Sequence, residues 1–132
     1  MHREHEPLPQ RTRQIADELV GAAIEVHRSL GPGLLESTYE VCLAHELTRR
    51  GLKVARQLAL PVIYDTVKLE AGYRIDLLVD DAVVVEVKAV EAFAPVHEAQ
   101  LLTYRRLSGR RLGYLINFNV ALLTHGLKRM IL

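Results

Sequence analysis

The chain has 132 residues, enough for one domain with a single core and too few for several. A composition 49% hydrophobic and 25% charged excludes a disordered chain, and 17 Lys and Arg against 16 Asp and Glu exclude the strong overall positive charge on which non-specific DNA binding usually rests. A single cysteine, Cys42, excludes an internal disulfide and reads as a small core residue; with no apolar run of roughly 18 residues and no start resembling a signal peptide, the expected setting is cytoplasmic, away from membranes.

Residues 1–11 are polar with two prolines and read as a loose arm, in which a metal-binding His2 and His5 pair is set aside in favour of a frayed tail. A single domain then spans residues 12–132. From Thr12, the residues Ile15, Leu19, Ala22, Ala23, Val26 and Leu30 recur at helical spacing until Gly31-Pro32-Gly33 stops them. A second helix is predicted over Leu34 to Arg50, with Leu35, Tyr39, Cys42 or Leu43, and Leu47 on its apolar side and Gly51 as its stop. Five β-type runs follow: Lys53 to Leu60, Val62 to Tyr64, Val67 to Glu70, Tyr73 to Val79, and Val83 to Ala89, divided by Pro61, Asp65-Thr66, Gly72 and Asp80-Asp81. Pro95 opens a third helix that reaches Ser108-Gly109; Leu112 to Asn117 reads as a buried strand and Lys128 to Leu132 as a short last one. The pattern is that of a mixed α/β domain without internal repeats.

The chemistry is concentrated where ionisable groups interrupt apolar strands. Asp76 stands within Tyr73-Arg74-Ile75-Asp76-Leu77-Leu78-Val79, and Glu86 and Lys88 stand among the valines of Val83-Val84-Val85-Glu86-Val87-Lys88. Burying isolated charges costs several kcal/mol each, so such groups must be paired, bound to metal or placed at the rim of the sheet. Period-two geometry gives Glu86 and Lys88 a common face. A two-residue turn at Asp80-Asp81 would turn Asp76 away from Glu86, whereas a three-residue connection Asp80-Asp81-Ala82, or a bulge, sets Asp76 opposite Glu86; the latter is expected. Two converging carboxylates then suit a hard divalent cation, Mg²⁺ or Mn²⁺, with a phosphodiester in the remaining positions and Lys88 orienting water or stabilising developing charge. The competing reading is a structural ion-pair cluster.

Glu36 lies in the first turn of the second helix with Tyr39 one turn on, and His97, Gln100 and Tyr104 form a polar stripe along the third helix. Gln100 could orient water or phosphate, and Tyr104 could bind phosphate or stack on a base, against a solvated face as the alternative. Near-neutral charge requires any polyanion to be held locally, the candidate patches being Arg105-Arg106, Arg110-Arg111, Arg49-Arg50 and Lys128-Arg129.

Gly33-Leu34-Leu35-Glu36-Ser37-Thr38-Tyr39 resembles the signature of the GxxExxY protein family, and Asp76 with Glu86-Val87-Lys88 resembles the core motif of the PD-(D/E)XK nuclease superfamily, with Ile75 where proline often precedes the acid. The resemblance runs from about Ile15 to Leu132 and takes in the Gln100-x-x-x-Tyr104 pattern and Leu115-Ile116-Asn117-Phe118-Asn119. It implies a restriction-endonuclease-like core, a mixed central sheet flanked by helices. It further implies metal ligands at Asp76, Glu86, Glu36 and the Val87 carbonyl, a catalytic Lys88, and Gln100 and Tyr104 as accessory residues. Metal-dependent cleavage of nucleic acid, DNA or RNA with DNA favoured, is the function this supports. The alternative is a non-catalytic nucleic-acid-binding or assembly module, and a metal-independent hydrolase lacks a local base partner for any Ser or Cys. Unpaired outer strands suggest a homo-oligomer.

Overall fold

A computed structural model of the protein describes residues 6–131. Residues 1–5 of the expected arm, including the His2 and His5 pair, lie outside them. Of its remainder, Leu8 is buried, the Glu6 and Pro7 carbonyls accept hydrogen bonds from Arg111, and helix α1 (Gln10–Leu30) begins two residues before Thr12, directly after Pro9. Helix α1 buries Ile15, Leu19, Ala22, Ala23 and Val26, and it stops at Gly31, whose φ of 68° favours a residue without a Cβ. Helix α2 (Glu36–Arg49) follows and buries Tyr39, Leu43 and Leu47.

The four runs predicted between Lys53 and Val79 form two long strands, β1 (Val54–Tyr64) and β2 (Val67–Val79). Pro61 and Gly72 do not end strands. They mark a shift of register between Leu60 and Val62, where Gly72 comes so close to β1 that a Cβ on it would collide with the Val62 side chain. Proline is tolerated because β1 is an edge strand whose outer N–H groups have no ladder partner. Beyond this shift the ribbon carries Ile63, Tyr64, Val67 and Leu69 exposed.

Strand β3 (Val83–Lys88) is buried except at Lys88; α3 (Pro95–Ser108), β4 (Leu112–Asn117), a 3-10 turn at Leu123–Gly126 and β5 (Leu127–Ile131) complete the chain. The five-stranded sheet runs β1-β2-β3-β4-β5, antiparallel except for β3 and β4, whose parallel pairing requires the crossover that α3 provides. On one face, Leu77, Val79, Val83, Val85, Val87, Leu112 and Ile116 pack with α1 and α2. On the other, Leu78, Val84 and Leu115 pack with Leu101 and Tyr104 of α3. This is the expected α/β architecture, a mixed sheet with helices on both faces, consistent with a restriction-endonuclease-like fold. No helix among the described residues is long and apolar enough to cross a membrane.

Candidate metal centre

The connection between β2 and β3 sets the site. Val79 pairs with Val83, leaving the three residues Asp80, Asp81 and Ala82 between them, and both aspartates take the left-handed conformation that Asp tolerates better than most side chains. The ladder continues through Leu78 and Val84 to Leu77 and Val85, so the next step brings Asp76 across from Glu86. There, side chains replace ladder bonds: the Asp76 N–H donates to Glu86 Oε1 at 3.3 Å, and the Val87 N–H donates to Asp76 Oδ2 at 2.9 Å. The strands part, and two acids occupy the gap.

A second irregularity lies on the other side of Asp76. Alternation would place Ile75 with Leu77, yet Ile75 belongs to the α3-side cluster with Leu78. In β1, Ala55, Leu58 and Leu60 all lie against that same cluster, again with a three-residue step. Both strands therefore slip by one residue at the same level, Gln57 opposite Asp76, and the register on either side is preserved. Gln57 carries the backbone cost of the slip with φ of 50°.

Glu86 is 2% exposed, and burial first, then the neighbouring Asp76 charge, pushes its pKa up to about 8 against the opposing pull of the Asp76 N–H and then of Lys88. Lys88 Nζ lies 4.0 Å from Glu86 Oε2, too loose an ion pair to neutralise the two acids. A buried carboxylate pair that resists holding two charges unaided is a donor set that a hard divalent cation completes, since Mg²⁺ commonly takes one or two carboxylates and retains waters. The residues present thus fit such an ion. The three-carboxylate set with Glu36 is not assembled, because among the described residues no three His, Cys, Asp or Glu side chains converge on one point. Glu36 is exposed, and its carboxylate instead accepts the Ala89 N–H at 3.2 Å, just past the end of β3.

The sequence model described as the PD-(D/E)XK nuclease superfamily matches residues 13–130, a stretch that includes every element of this site. The chain belongs to the PD-(D/E)XK nuclease superfamily. No curated protein and no solved structure matches it. PD-(D/E)XK nucleases generally use divalent metals and act on nucleic acid, in keeping with the donor set between β2 and β3.

Other candidate residues of this PD-(D/E)XK domain divide into two groups. Gln100 and Tyr104 of α3 face the acids: Gln100 Oε1 accepts from Lys88 Nζ at 3.4 Å. The Tyr104 hydroxyl is pushed up to about 12, by burial and then by the charges of Glu86 and Asp76, and its ring meets Tyr73 edge-on at 5.4 Å. The rest serve the scaffold. His97 Nδ1 accepts the Ala94 N–H at 3.0 Å and fastens the first turn of α3, which removes it from the polar stripe. Tyr39 is fully buried, stacked on Phe118 at 4.6 Å, and its hydroxyl donates to the Gly31 carbonyl and accepts from the Leu34 N–H, so it braces the Gly-Pro-Gly turn and does not face a substrate.

Arg105 is the clearest departure from expectation. At 1% exposure it lies under α3 against Gly113, its guanidinium has no hydrogen-bond partner among the described residues, and burial, with Arg111 nearby, pulls its pKa down to about 10. It cannot meet nucleic acid from there. Its neighbour Arg106 is exposed and remains available.

Sequence reasoning missed Gln57, Glu40 and Arg56. Gln57 Nε2 donates to Glu40 Oε1 at 2.7 Å and to Asp76 Oδ1 at 3.3 Å, while Arg56 holds Glu40 Oε2 at 3.1 Å. A signal for Glu40 was present. It follows Glu36 at i,i+4, a like-charge pair that destabilises a helix unless something else holds one member. Asn117 enters the sequence reading only as part of a motif; its side chain brackets Val90, accepting the Val90 N–H at 3.0 Å and donating to the Val90 carbonyl at 2.9 Å, which fixes the path of the chain leaving Lys88.

Proposed function

We propose that this protein is a divalent-metal-dependent nuclease that hydrolyses phosphodiester bonds in nucleic acid, DNA being the substrate first to test. The observation that carries the proposal is the pairing of Asp76 with Glu86 across parted strands, with Lys88 on the same face. The segment Gly33 to Tyr39 supports placement within the GxxExxY family. Asp76, Glu86 and the Val87 carbonyl would hold Mg²⁺ or Mn²⁺. Glu36, one step away at Ala89, would act on waters around the ion.

A bound divalent cation supplies Lewis acidity toward the phosphoryl oxygen and a lowered pKa for its own water. The protein supplies the rest. Glu86, protonated below about pH 8 in the metal-free site, would hold the ion as a carboxylate and would release its proton in doing so. Lys88, oriented by Gln100, donates to the attacking water or to the phosphoryl oxygen on which charge develops. Tyr104 remains protonated at neutral pH and can donate to a phosphate oxygen, and exposed Arg106 offers a contact to the backbone beyond the scissile bond.

Incubation with labelled single- and double-stranded DNA and RNA, with and without Mg²⁺ or Mn²⁺, tests this reading. Metal-dependent cleavage lost in Asp76→Asn and Lys88→Ala is expected. Cleavage that survives both substitutions, or salt-sensitive binding with no turnover in any metal, would replace the enzyme with a non-catalytic binding module.

A further inference from the structure

We propose that Gln57, anchored by Glu40, is a positioning residue that holds the Asp76 carboxylate turned toward Glu86. The inference rests on the reading of Asp76 and Glu86 as metal ligands. Each oxygen of Asp76 has its own donor: Oδ2 takes the Val87 N–H at 2.9 Å and Oδ1 takes the Gln57 amide at 3.3 Å. One donor would leave the carboxylate free to swing about that bond. Two donors, from strands on either side of β2, fix its plane.

The orientation of the Gln57 amide follows from its neighbours. Glu40 Oε1 at 2.7 Å and Asp76 Oδ1 at 3.3 Å are acceptors when ionised, so the NH₂ end must face both, and its two hydrogens match the two bonds required. Glu40 is 6% exposed, and both its acceptance from Gln57 and its pairing with Arg56 at 3.1 Å hold it in place. Arg56 thereby offsets the charge of Glu40 alone. Gln57, being neutral, passes orientation to Asp76 without passing charge, so Asp76 keeps its attraction for a cation. A lysine at this position would hold Asp76 equally well and compete with the ion.

The backbone points the same way. Gln57 adopts φ of 50° within a strand, a conformation that glycine takes without strain and that a residue with a long side chain takes at a cost. For folding alone, glycine would serve the slip better than glutamine. The side chain therefore has a use that the fold does not require, and its only described side-chain partners are Glu40 and Asp76.

The test compares the full chain with Gln57→Gly by three measurements: melting temperature, hydrogen exchange of the Val87 amide in metal-free protein, and Mn²⁺ affinity by calorimetry. The expected result is a melting temperature equal to or above that of the parent, faster Val87 exchange, and Mn²⁺ affinity reduced roughly tenfold, as for other residues that orient a metal ligand. Stability and affinity thus move apart, which a merely structural role would not produce. Unchanged Val87 exchange and Mn²⁺ affinity, or a joint fall of melting temperature and affinity, would overturn the proposal. Glu40→Gln gives a second arm should the glycine variant fold poorly: it keeps an acceptor for Gln57, loses the anchor to Arg56, and should show a smaller loss of the same kind, no loss counting against the proposal. If the parent protein takes up no Mn²⁺, the metal-site reading fails, while Val87 exchange in the two variants still decides the role of Gln57.

Discussion

Asp76 lies across from Glu86, and its backbone N–H donates to the Glu86 carboxylate at 3.3 Å in place of a ladder bond. The two acids are thus coupled through this hydrogen bond as well as through charge. The buried member, Glu86, has a folded-state pKa above its ordinary value of 4.5, raised to about 8. Its contribution to stability is therefore complete below about pH 4.5 and is lost as pH rises toward about 8.

Metal-free protein should accordingly melt at lower temperature as pH rises through that window, and Glu86→Gln should remove this dependence. At pH 8 the variant is expected to be more stable than the parent by a few kcal/mol, since each tenfold difference in proton affinity between the folded and unfolded chain is worth about 1.4 kcal/mol. Thermal melts of both proteins across the range check this; a parent with a flat profile would refute it.

Metal affinity should carry the same proton in the opposite sense. Loading requires Glu86 to be ionised, so affinity should fall about tenfold for each pH step of about one below about 8 and level off above it. Calorimetric titration with Mn²⁺ in buffers of differing ionisation enthalpy would reveal the released proton directly. Asp76→Asn should abolish the binding.

Lys88→Ala separates binding from turnover. Lys88 Nζ lies near Glu86 and Gln100 and is assigned no ligand role, so removing its charge should leave Mn²⁺ affinity equal or slightly higher while lowering kcat by roughly a factor of 10² to 10³, the usual loss for one donor to a developing charge. Equal loss of affinity and kcat would show that Lys88 serves mainly to hold the acids in place.

Two substitutions should affect the scaffold alone. Tyr39→Phe removes the bonds to Gly31 and Leu34 and should cost about 1–2 kcal/mol with Mn²⁺ affinity unchanged. Arg105→Met should do the reverse, being neutral or stabilising by about 1–3 kcal/mol because it removes a buried guanidinium that has no partner among the described residues. Neither should alter the salt dependence of nucleic-acid binding, whereas Arg106→Ala should reduce its slope by about one contact.

What depends on local pattern was legible in the sequence. Pro95 and Gly109 bracket α3 by their own backbone preferences, Leu112 to Asn117 is apolar enough to read as a central strand, and three acid or base positions in two apolar runs draw attention because charge is costly there. Pro61 and Gly72 mislead because both residues usually end strands, whereas here Pro61 lies at a register shift on an edge strand and Gly72 makes room for Val62 beside it. Tyr39 reads as part of the apolar side of its helix and is drawn toward the site by lying one turn after Glu36, whereas Arg105 reads as outward-facing because nothing local distinguishes a basic pair on the surface from one turned under its helix. Gln57 is hidden for a stronger reason: a glutamine in a β-type run carries no sign of positive φ, and its partners lie 17 and 19 residues away.

The paired slip at Gln57 and Asp76 has a consequence for how such a chain can vary in length. Since each strand departs from alternation by one residue at the same level, losing a residue from β1 alone between Ala55 and Leu58 would turn one side of the hairpin inside out while leaving its partner as it was. Gains and losses here should therefore occur in matched pairs, one in each strand, and a matched pair that restored strict alternation would keep a sound hairpin while rotating the acid at position 76 out of the cleft.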